Sequence, residues 1–223
     1  MTEEKKRRRQ ERQRYWTAWC IRAQSKLLRA AVYLVEYAKK RSRLVRLVRL
    51  ATETLSGIPS IVYGLFGMLL FNNRLHLGYS LISGSLTLAI MILPLILRTT
   101  EEALLSVPDM YREGSFGLGA GKLRTVMSIV LPAAAPGILS GVILAIGRIV
   151  GETAALMYTS GTVAKIAGLS DSGITLALHM YKQASEGLYT EEAYATSVVL
   201  LVLVLLINFA SSRAAGRIGK KRG

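Results

Sequence analysis

Residues 193–212 read AYATSVVLLVLVLLINFASS and contain no charged side chain. An α-helix rises about 1.5 Å per residue, so roughly 20 apolar residues are needed to cross a hydrocarbon core of about 30 Å. Three more uncharged runs have a comparable length: residues 55–71, 78–97 and 125–147. The sequence therefore predicts an all-α, polytopic membrane protein with about four transmembrane helices.

The charged side chains are segregated from these apolar runs. The 223 residues include 29 Lys and Arg, although 51% of the chain is hydrophobic and its mean hydropathy is +0.35. Residues 1–50 alone hold 16 of the 29 cationic side chains. A soluble enzyme with four such buried helices would have too little polar chain to cover them, which disfavours that class of protein.

The distribution of Lys and Arg also predicts the sidedness of the chain, because cytoplasmic loops retain these residues and translocated loops are depleted of them. The counts alternate along the chain: 16 in residues 1–50, one in 71–78, four in 98–124, two in 160–192 and five after residue 212. We therefore expect a multi-pass protein of the inner (plasma) membrane with both termini in the cytoplasm.

Residues 125–164 contain only two charged side chains, Arg148 and Glu152. This stretch of 40 residues is too long for one straight crossing. Proline is tolerated at a helix start and disrupts a helix interior. Pro132 and Pro136 therefore predict an interfacial elbow over 125–135 and a membrane span over about 136–158.

The chain divides into three predicted parts: a basic segment (1–50), a transmembrane domain (51–212) and a basic cytoplasmic tail (213–223). At the end of the basic segment, apolar residues recur about one helical turn apart and arginines occupy another face, which predicts an amphipathic helix at the membrane surface. Anionic lipid headgroups are the favoured partner of this segment, and nucleic acid is the alternative.

One cytoplasmic segment between the second and third runs has a recognisable spacing. Glu113 is followed six residues later by Gly119, and ten further on by Ile-x-Leu-Pro at 129–132. This spacing resembles the EAA motif of ABC importer permeases, whose short helix docks into a cleft of the ATPase subunit. The resemblance implies a coupling helix at about 106–122, with Glu113, Gly114, Ser115 and Gly119 as its coupling residues.

Further stretches narrow the resemblance to the PstA family of phosphate-importer permeases: GIPSIVYGLFG at 57–67, LPLILRTTEEALLSVPDMYRE at 93–113 and GRIVGETA at 147–154. This family implies a type I (MetI-like) permease fold and transport of inorganic phosphate driven by ATP hydrolysis in another subunit. The implied partners are a PstC-like permease, a PstB-like ATPase dimer and an extracytoplasmic phosphate-binding protein. Sulfate, molybdate and phosphonate remain alternative cargoes, since the coupling spacing does not specify the substrate.

The first 30 residues do not match the family pattern, in which a first span and most of a second precede the stretch AVYLVEYAKK at 31–40. We therefore expect a shortened or misassigned start. The loss of two spans preserves the sidedness of everything downstream, because two crossings return the chain to the same side. A truncated membrane scaffold that does not transport is the alternative function.

The sequence predicts no catalytic site, cofactor or metal. Residues 114–123 (GSFGLGAGKL) superficially resemble a nucleotide-binding loop, but Phe116 replaces the first required glycine and Leu123 the required Ser or Thr. His76, His179 and Cys20 are isolated from one another in the sequence. We expect a transport subunit whose ATPase activity belongs to a partner chain.

Intramembrane charges are the candidate substrate residues, because a charge near the bilayer centre costs about 2.5–3.5 kcal/mol even on lenient scales. Arg148 and Glu152 are four residues apart, so we expect them to share one helix face and neutralise each other until phosphate competes for Arg148. A pair that only locks helices together is the alternative. Arg98 is a weaker pathway candidate, since arginine commonly extends to the interface from a helix end.

Overall fold

The computed structural model describes residues 32–37, 43–164, 167–187 and 190–220, and the regular structure within these ranges is helical. Most of the predicted basic segment (1–31 and 38–42) and the end of the tail (221–223) lie outside the described residues. We number the helices in chain order: α1 (Tyr33–Tyr37), α2 (Arg43–Ser56), α3 (Ser60–Gly67, continued by Met68–Arg74), α4 (Leu81–Leu105), α5 (Asp109–Gly117), α6 (Lys122–Thr125), α7 (Leu131–Val150), α8 (Ala154–Thr159), α9 (Leu176–Glu186) and α10 (Thr190–Lys220).

The long helices confirm the predicted membrane class. Three segments of the described chain are long and apolar enough to cross a bilayer, namely Leu81–Leu105, Lys122–Val150 and Thr190–Arg213. A fourth crossing results if the bent pair Val45–Ser56 and Ser60–Arg74 forms one span, although its two helices turn through 101°. Pro59 explains the bend, since proline lacks an N–H and disfavours a helical conformation in the residue before it.

The interfacial elbow predicted over 125–135 is wrong, because Lys122–Val150 is one continuous helix. Residues Val126–Val130 form a wide π-helical turn that leads into α7, and Pro132 follows in the first turn of that helix. A π-helical turn changes the local hydrogen-bond pattern, and transmembrane helices tolerate proline where the freed groups are satisfied locally. The predicted span to residue 158 is also wrong, because α7 ends at Val150.

Helix α4 is the centre of the packing, with α7 against one face and α2, α3 and α8 on others. A Cβ atom at Gly137 would lie 2.8 Å from the Cβ of Ala103, and one at Gly141 would overlap Thr99. The glycine spacing in α7 therefore does permit the close helix approach that membrane packing favours. In contrast, a Cβ atom at Gly147 would meet, among the described residues outside its own helix backbone, only the Asn208 side-chain oxygen of α10, at 3.7 Å.

The predicted amphipathic helix corresponds to α2, which is tied to α4. Val45 is buried in a core cluster with α4 and α7 residues, whereas Leu47 is exposed. The Arg49 guanidinium lies 2.5 Å from the Glu101 carboxylate, and the Glu101 side chain is only 14% exposed. Glu101 is therefore the partner of Arg49 in an ion pair between α4 and α2.

Helix α8 packs tightly against α3. A Cβ atom at Gly64 would lie 2.9 Å from the Cα atom of Ala155 and 3.2 Å from two backbone oxygens of α8. No flexible side chain can move aside at this contact, because the neighbouring atoms belong to the backbone. Gly64 thus allows α8 to lie directly on α3.

We expect Gly64→Ala to lower the thermal midpoint of the detergent-purified protein. Overpacking costs about 1–3 kcal/mol, which outweighs the gain of at most about 1 kcal/mol when alanine replaces a helical glycine. Gly57→Ala is the matched control, since its new Cβ would meet the Thr54 and Glu53 carbonyl oxygens only at ordinary contact distances of 3.6 and 3.9 Å. Equal midpoints for the two variants would contradict this account of the α3–α8 contact.

Candidate functional site

Arg148 lies in the last turn of α7 and lines a cavity of about 630 Å³ between α4, α7 and α10. The polar side chains that line it are Ser140, Arg148, Asn208 and Ser212, and none of its described lining residues carries a carboxylate. The cavity therefore presents a cation, an amide and two hydroxyls, all of which can donate hydrogen bonds.

Asn208 is a member of this cavity that sequence reasoning missed. Its side-chain oxygen lies opposite Gly147, which immediately precedes Arg148. A signal was present in the sequence, because Asn208 is the one amide within the uncharged run 193–212. A polar side chain inside a membrane helix is costly unless it finds a partner, so such a residue is a candidate functional site.

Glu152 does not share a helix face with Arg148, which corrects the sequence-based expectation. Helix α7 ends at Val150 and α8 begins at Ala154, so the i, i+4 geometry is lost at the break. The described ion pairs include none between Arg148 and Glu152. Instead, the buried Glu152 carboxylate accepts a hydrogen bond from the Ala155 N–H at 3.2 Å. Glu152 thus satisfies a free N–H at the start of α8.

Asn72 holds the other end of α8 in place. Its side-chain N–H groups donate to the carbonyl oxygens of Tyr158 at 3.2 Å and Thr159 at 3.4 Å, and its oxygen accepts a hydrogen bond from the Ser83 hydroxyl. Asn72, Ser83 and Thr159 are all buried. Backbone carbonyls at membrane depth need such partners, because lipid offers none.

Arg98 lies apart from the cavity that contains Arg148. It is not among that cavity's lining residues, and its guanidinium lies 2.9 Å from the Glu102 carboxylate, four residues later in α4. Both side chains are more than half exposed. The structure therefore does not bring the three predicted pathway residues into one cluster.

The predicted coupling residues lie in and after α5, which is shorter than the predicted helix 106–122. Glu113 and Gly114 are exposed on the helix, whereas Ser115 is buried and its hydroxyl lies 2.8 Å from that of Thr125. Gly119 follows the helix in a turn with φ of 80°, a conformation that favours glycine. Two of the four residues are thus exposed (Glu113 and Gly114), Ser115 contacts Thr125 inside the protein, and Gly119 forms the turn after the helix.

Large apolar side chains near Glu113 and Gly114 in the sequence are exposed as well. Leu118 is 90% exposed and Met110 is 72% exposed, and Phe116 and Leu123 are also exposed. We call Met110, Phe116, Leu118 and Leu123, together with Glu113 and Gly114, the α5 surface. This concentration of exposed large apolar side chains within residues 110–123 makes the α5 surface a candidate protein-binding site.

The long apolar helices, with a cavity between three of them that contains Arg148 and an exposed α5 surface, define a multi-pass α-helical membrane protein. The chain matches, over residues 30–222, the profile of the family described as "Binding-protein-dependent transport system inner membrane component". It belongs to this family of inner-membrane transport subunits.

Several relatives are similar to most of the chain. The probable ABC transporter permease protein YqgI of Bacillus subtilis is 36% identical over 207 residues, which cover 85% of this chain and 70% of the relative. The phosphate transport system permease protein PstA of Mycobacterium leprae is 37% identical over 182 residues, which cover 80% of this chain but only 59% of the relative. The phosphate transport system permease protein PstA homolog of Mycoplasma pneumoniae is 35% identical over 192 residues.

Solved structures confirm the predicted type I fold. The chain superposes on an inward-facing MetNI methionine ABC transporter with a TM-score of 0.68 and 23% identity, covering 86% of this chain and 85% of that one. A bacterial ABC transporter involved in alginate import gives a TM-score of 0.59 at 14% identity. Likeness at this level of identity shows the fold alone.

We expect Glu152→Leu to lower the thermal midpoint of the purified protein and Glu152→Gln to leave it nearly unchanged. The loss of a side-chain acceptor at a helix start typically costs about 1 kcal/mol, and a glutamine oxygen can still accept from the Ala155 N–H. Thermal denaturation in one detergent compares the two variants directly. Equal decreases in the thermal midpoint of the two variants would show that the negative charge of Glu152 stabilises the protein, as an ion pair with Arg148 would require.

Proposed function

We propose that this chain is the permease subunit of an ABC importer that conducts inorganic phosphate across the inner (plasma) membrane. The observation that carries the proposal is its similarity to phosphate transport system permease proteins over about four fifths of its length. The donor-lined cavity at Arg148 supports it, since cation and amide donors suit a tetrahedral oxyanion.

In this proposal Arg148 supplies the positive charge that phosphate meets on its way through the membrane. Asn208, Ser140 and Ser212 add hydrogen bonds to the same cavity, where bonds to a charged oxyanion are stronger than neutral ones. Glu152 contributes indirectly by fixing the start of α8. Arg98 is assigned to the pathway beyond this cavity, where its pairing with Glu102 would limit its hold on the anion.

The α5 surface is the proposed docking site of an ATPase subunit. Its exposed glycine at 114 lets another backbone approach closely, and Leu118 offers apolar area that binding would remove from water. The proposed partners are a PstB-like ATPase dimer, a PstC-like permease and an extracytoplasmic phosphate-binding protein. ATP hydrolysis in the partner dimer would drive transport through this chain.

The proposed arrangement places both termini and α5 in the cytoplasm. Residues 51–212 form the permease domain, residues 1–50 form a basic segment on the cytoplasmic side, whose proposed partner is anionic lipid for the cations not paired within the protein, and 213–223 form a cytoplasmic tail. The alternation of cation-rich and cation-poor connections supports this orientation.

We expect Arg148→Gln to reduce phosphate uptake by about tenfold or more, since a charge-assisted hydrogen bond contributes more than about 1.4 kcal/mol, which corresponds to a tenfold effect. Uptake is measured with labelled phosphate in proteoliposomes that contain the complete importer. Arg148→Lys should retain part of the activity. Arg74→Gln is the control, because Arg74 is exposed at the end of α3, outside the cavity.

Competition in the same vesicles tests the substrate class. Unlabelled phosphate should suppress uptake of the label, and sulfate, molybdate and phosphonate should do so only at much higher concentration. Uptake unaffected by Arg148→Gln would remove Arg148 from the pathway, and equal suppression by sulfate would overturn the assignment to phosphate.

We expect Leu118→Glu to reduce retention of the ATPase subunit about tenfold or more when the complex is purified in mild detergent. Burial of a leucine contributes roughly 1.5–3 kcal/mol, and placing a carboxylate there adds a desolvation cost. Leu75→Glu is the control, since Leu75 is an exposed leucine in another connection of the chain. Undiminished retention with Leu118→Glu would contradict docking at the α5 surface.

A further inference from the structure

Arg112 joins α5 to the end of α4. Its Nη1 donates to the Val107 carbonyl oxygen at 2.7 Å, and its Nη2 donates to the Leu104 carbonyl oxygen at 3.0 Å. The last carbonyls of a helix lack partners within the helix. Arg112 therefore supplies donors to the end of α4 and, by the same contacts, fixes the direction in which α5 leaves it.

The same guanidinium also forms an ion pair with α1. The Arg112 Nε and Nη2 atoms lie 3.1 and 2.8 Å from one Glu36 carboxylate oxygen, across 76 residues of sequence. The Arg112 side chain is 14% exposed and that of Glu36 only 8%. A nearly buried pair is costly to break, because the remaining partner is left as an uncompensated charge.

A second contact between α1 and the α5–α6 region lies one residue further along α1. The Lys122 ammonium lies 5.0 Å from the centre of the Tyr37 ring, within the range of a cation–π interaction. Tyr37 is in turn stacked on Tyr33, with the ring centres 6.4 Å apart and the planes within 7°. Helix α1 therefore contacts the start of α6 as well as α5.

We infer that α1 is a brace for the α5 surface and that Arg112 is the positioning residue through which the brace acts. The inference rests on the proposed function, since it concerns how the α5 surface transmits a movement of the docked ATPase. Only Ser106, Val107 and Pro108 connect α4 to α5, and a short connection alone leaves α5 free to pivot. With Arg112 bonded to both α4 and α1, the three helices move together, so displacement of α5 reaches the membrane helices.

The experiment uses the complete importer in proteoliposomes and measures phosphate imported per ATP hydrolysed. We expect Glu36→Ala and Arg112→Ala each to lower this ratio about tenfold, because each variant removes one partner of a nearly buried pair. The double variant should match Arg112→Ala alone, since the two residues act through one contact. A purely structural role would lower uptake and hydrolysis together and leave the ratio unchanged.

Asp109→Ala is the matched control, because Asp109 also contacts Arg112, at 3.1 Å, but its side chain is 83% exposed. An exposed pair contributes little, so the ratio should change less than about twofold. Glu36→Gln keeps an acceptor for Arg112 and should give an intermediate ratio. If Glu36→Ala lowers the amount of chain in the membrane, the import ratio of Glu36→Gln is used instead to test the brace.

Three results would overturn the brace: an unchanged ratio in Glu36→Gln and Arg112→Ala, effects that multiply in the double variant, or equal loss in Asp109→Ala. Failure of the proposed function gives a different result, because the wild-type complex would then neither retain the ATPase subunit nor import phosphate. If the wild-type complex couples hydrolysis to uptake and the variants do so equally well, only the brace is refuted.

Discussion

Lipid offers no hydrogen bonds, and this constraint governs how the chain is built. Long helices satisfy their own backbone, so α4, α7 and α10 need no outside partners along most of their length. The break between α7 and α8 is different, because its free N–H and carbonyl groups require side chains. Glu152 serves the start of α8 and Asn72 its end. The two most polar buried residues of this region are thus explained by the backbone that they satisfy.

The features that are local in sequence were predictable. The uncharged runs predicted α4 and α10, and the spacing around Glu113 predicted an exposed short helix in the connection that follows α4. Gly137 and Gly141, which are four residues apart and therefore on one face of α7, make a close contact with α4. Each of these patterns depends on a helix period or on a length that lipid imposes, so neighbouring residues suffice to reveal it.

The errors have two physical sources. Pro132 suggested an interruption, but the wide turn at Val126–Val130 accommodates it within one helix. The spacing of Arg148 and Glu152 suggested an ion pair, but a helix ends between them at Gly151. Contacts between residues far apart in the sequence could not be predicted, because nothing near Arg112 in the sequence indicates that its partner is Glu36. A single sequence gives spacing along helices but not the partners across them.

The cavity at Arg148 is open on one side in the isolated chain, so an anion that entered it would not be enclosed by protein. An oxyanion moving past acyl chains would lose its hydration without compensation, a cost that Arg148 and Asn208 on one side cannot offset alone. Only 6% of the apolar window of α10, which forms one wall of the cavity, is buried within this chain. A closed pathway therefore needs a second protein surface opposite this one, which in the proposed function is that of a partner permease. In the proposed function, the same reasoning accounts for the lack of a carboxylate within ion-pair distance of Arg148 in the described chain, because a permanently neutralised cation would not attract an anion.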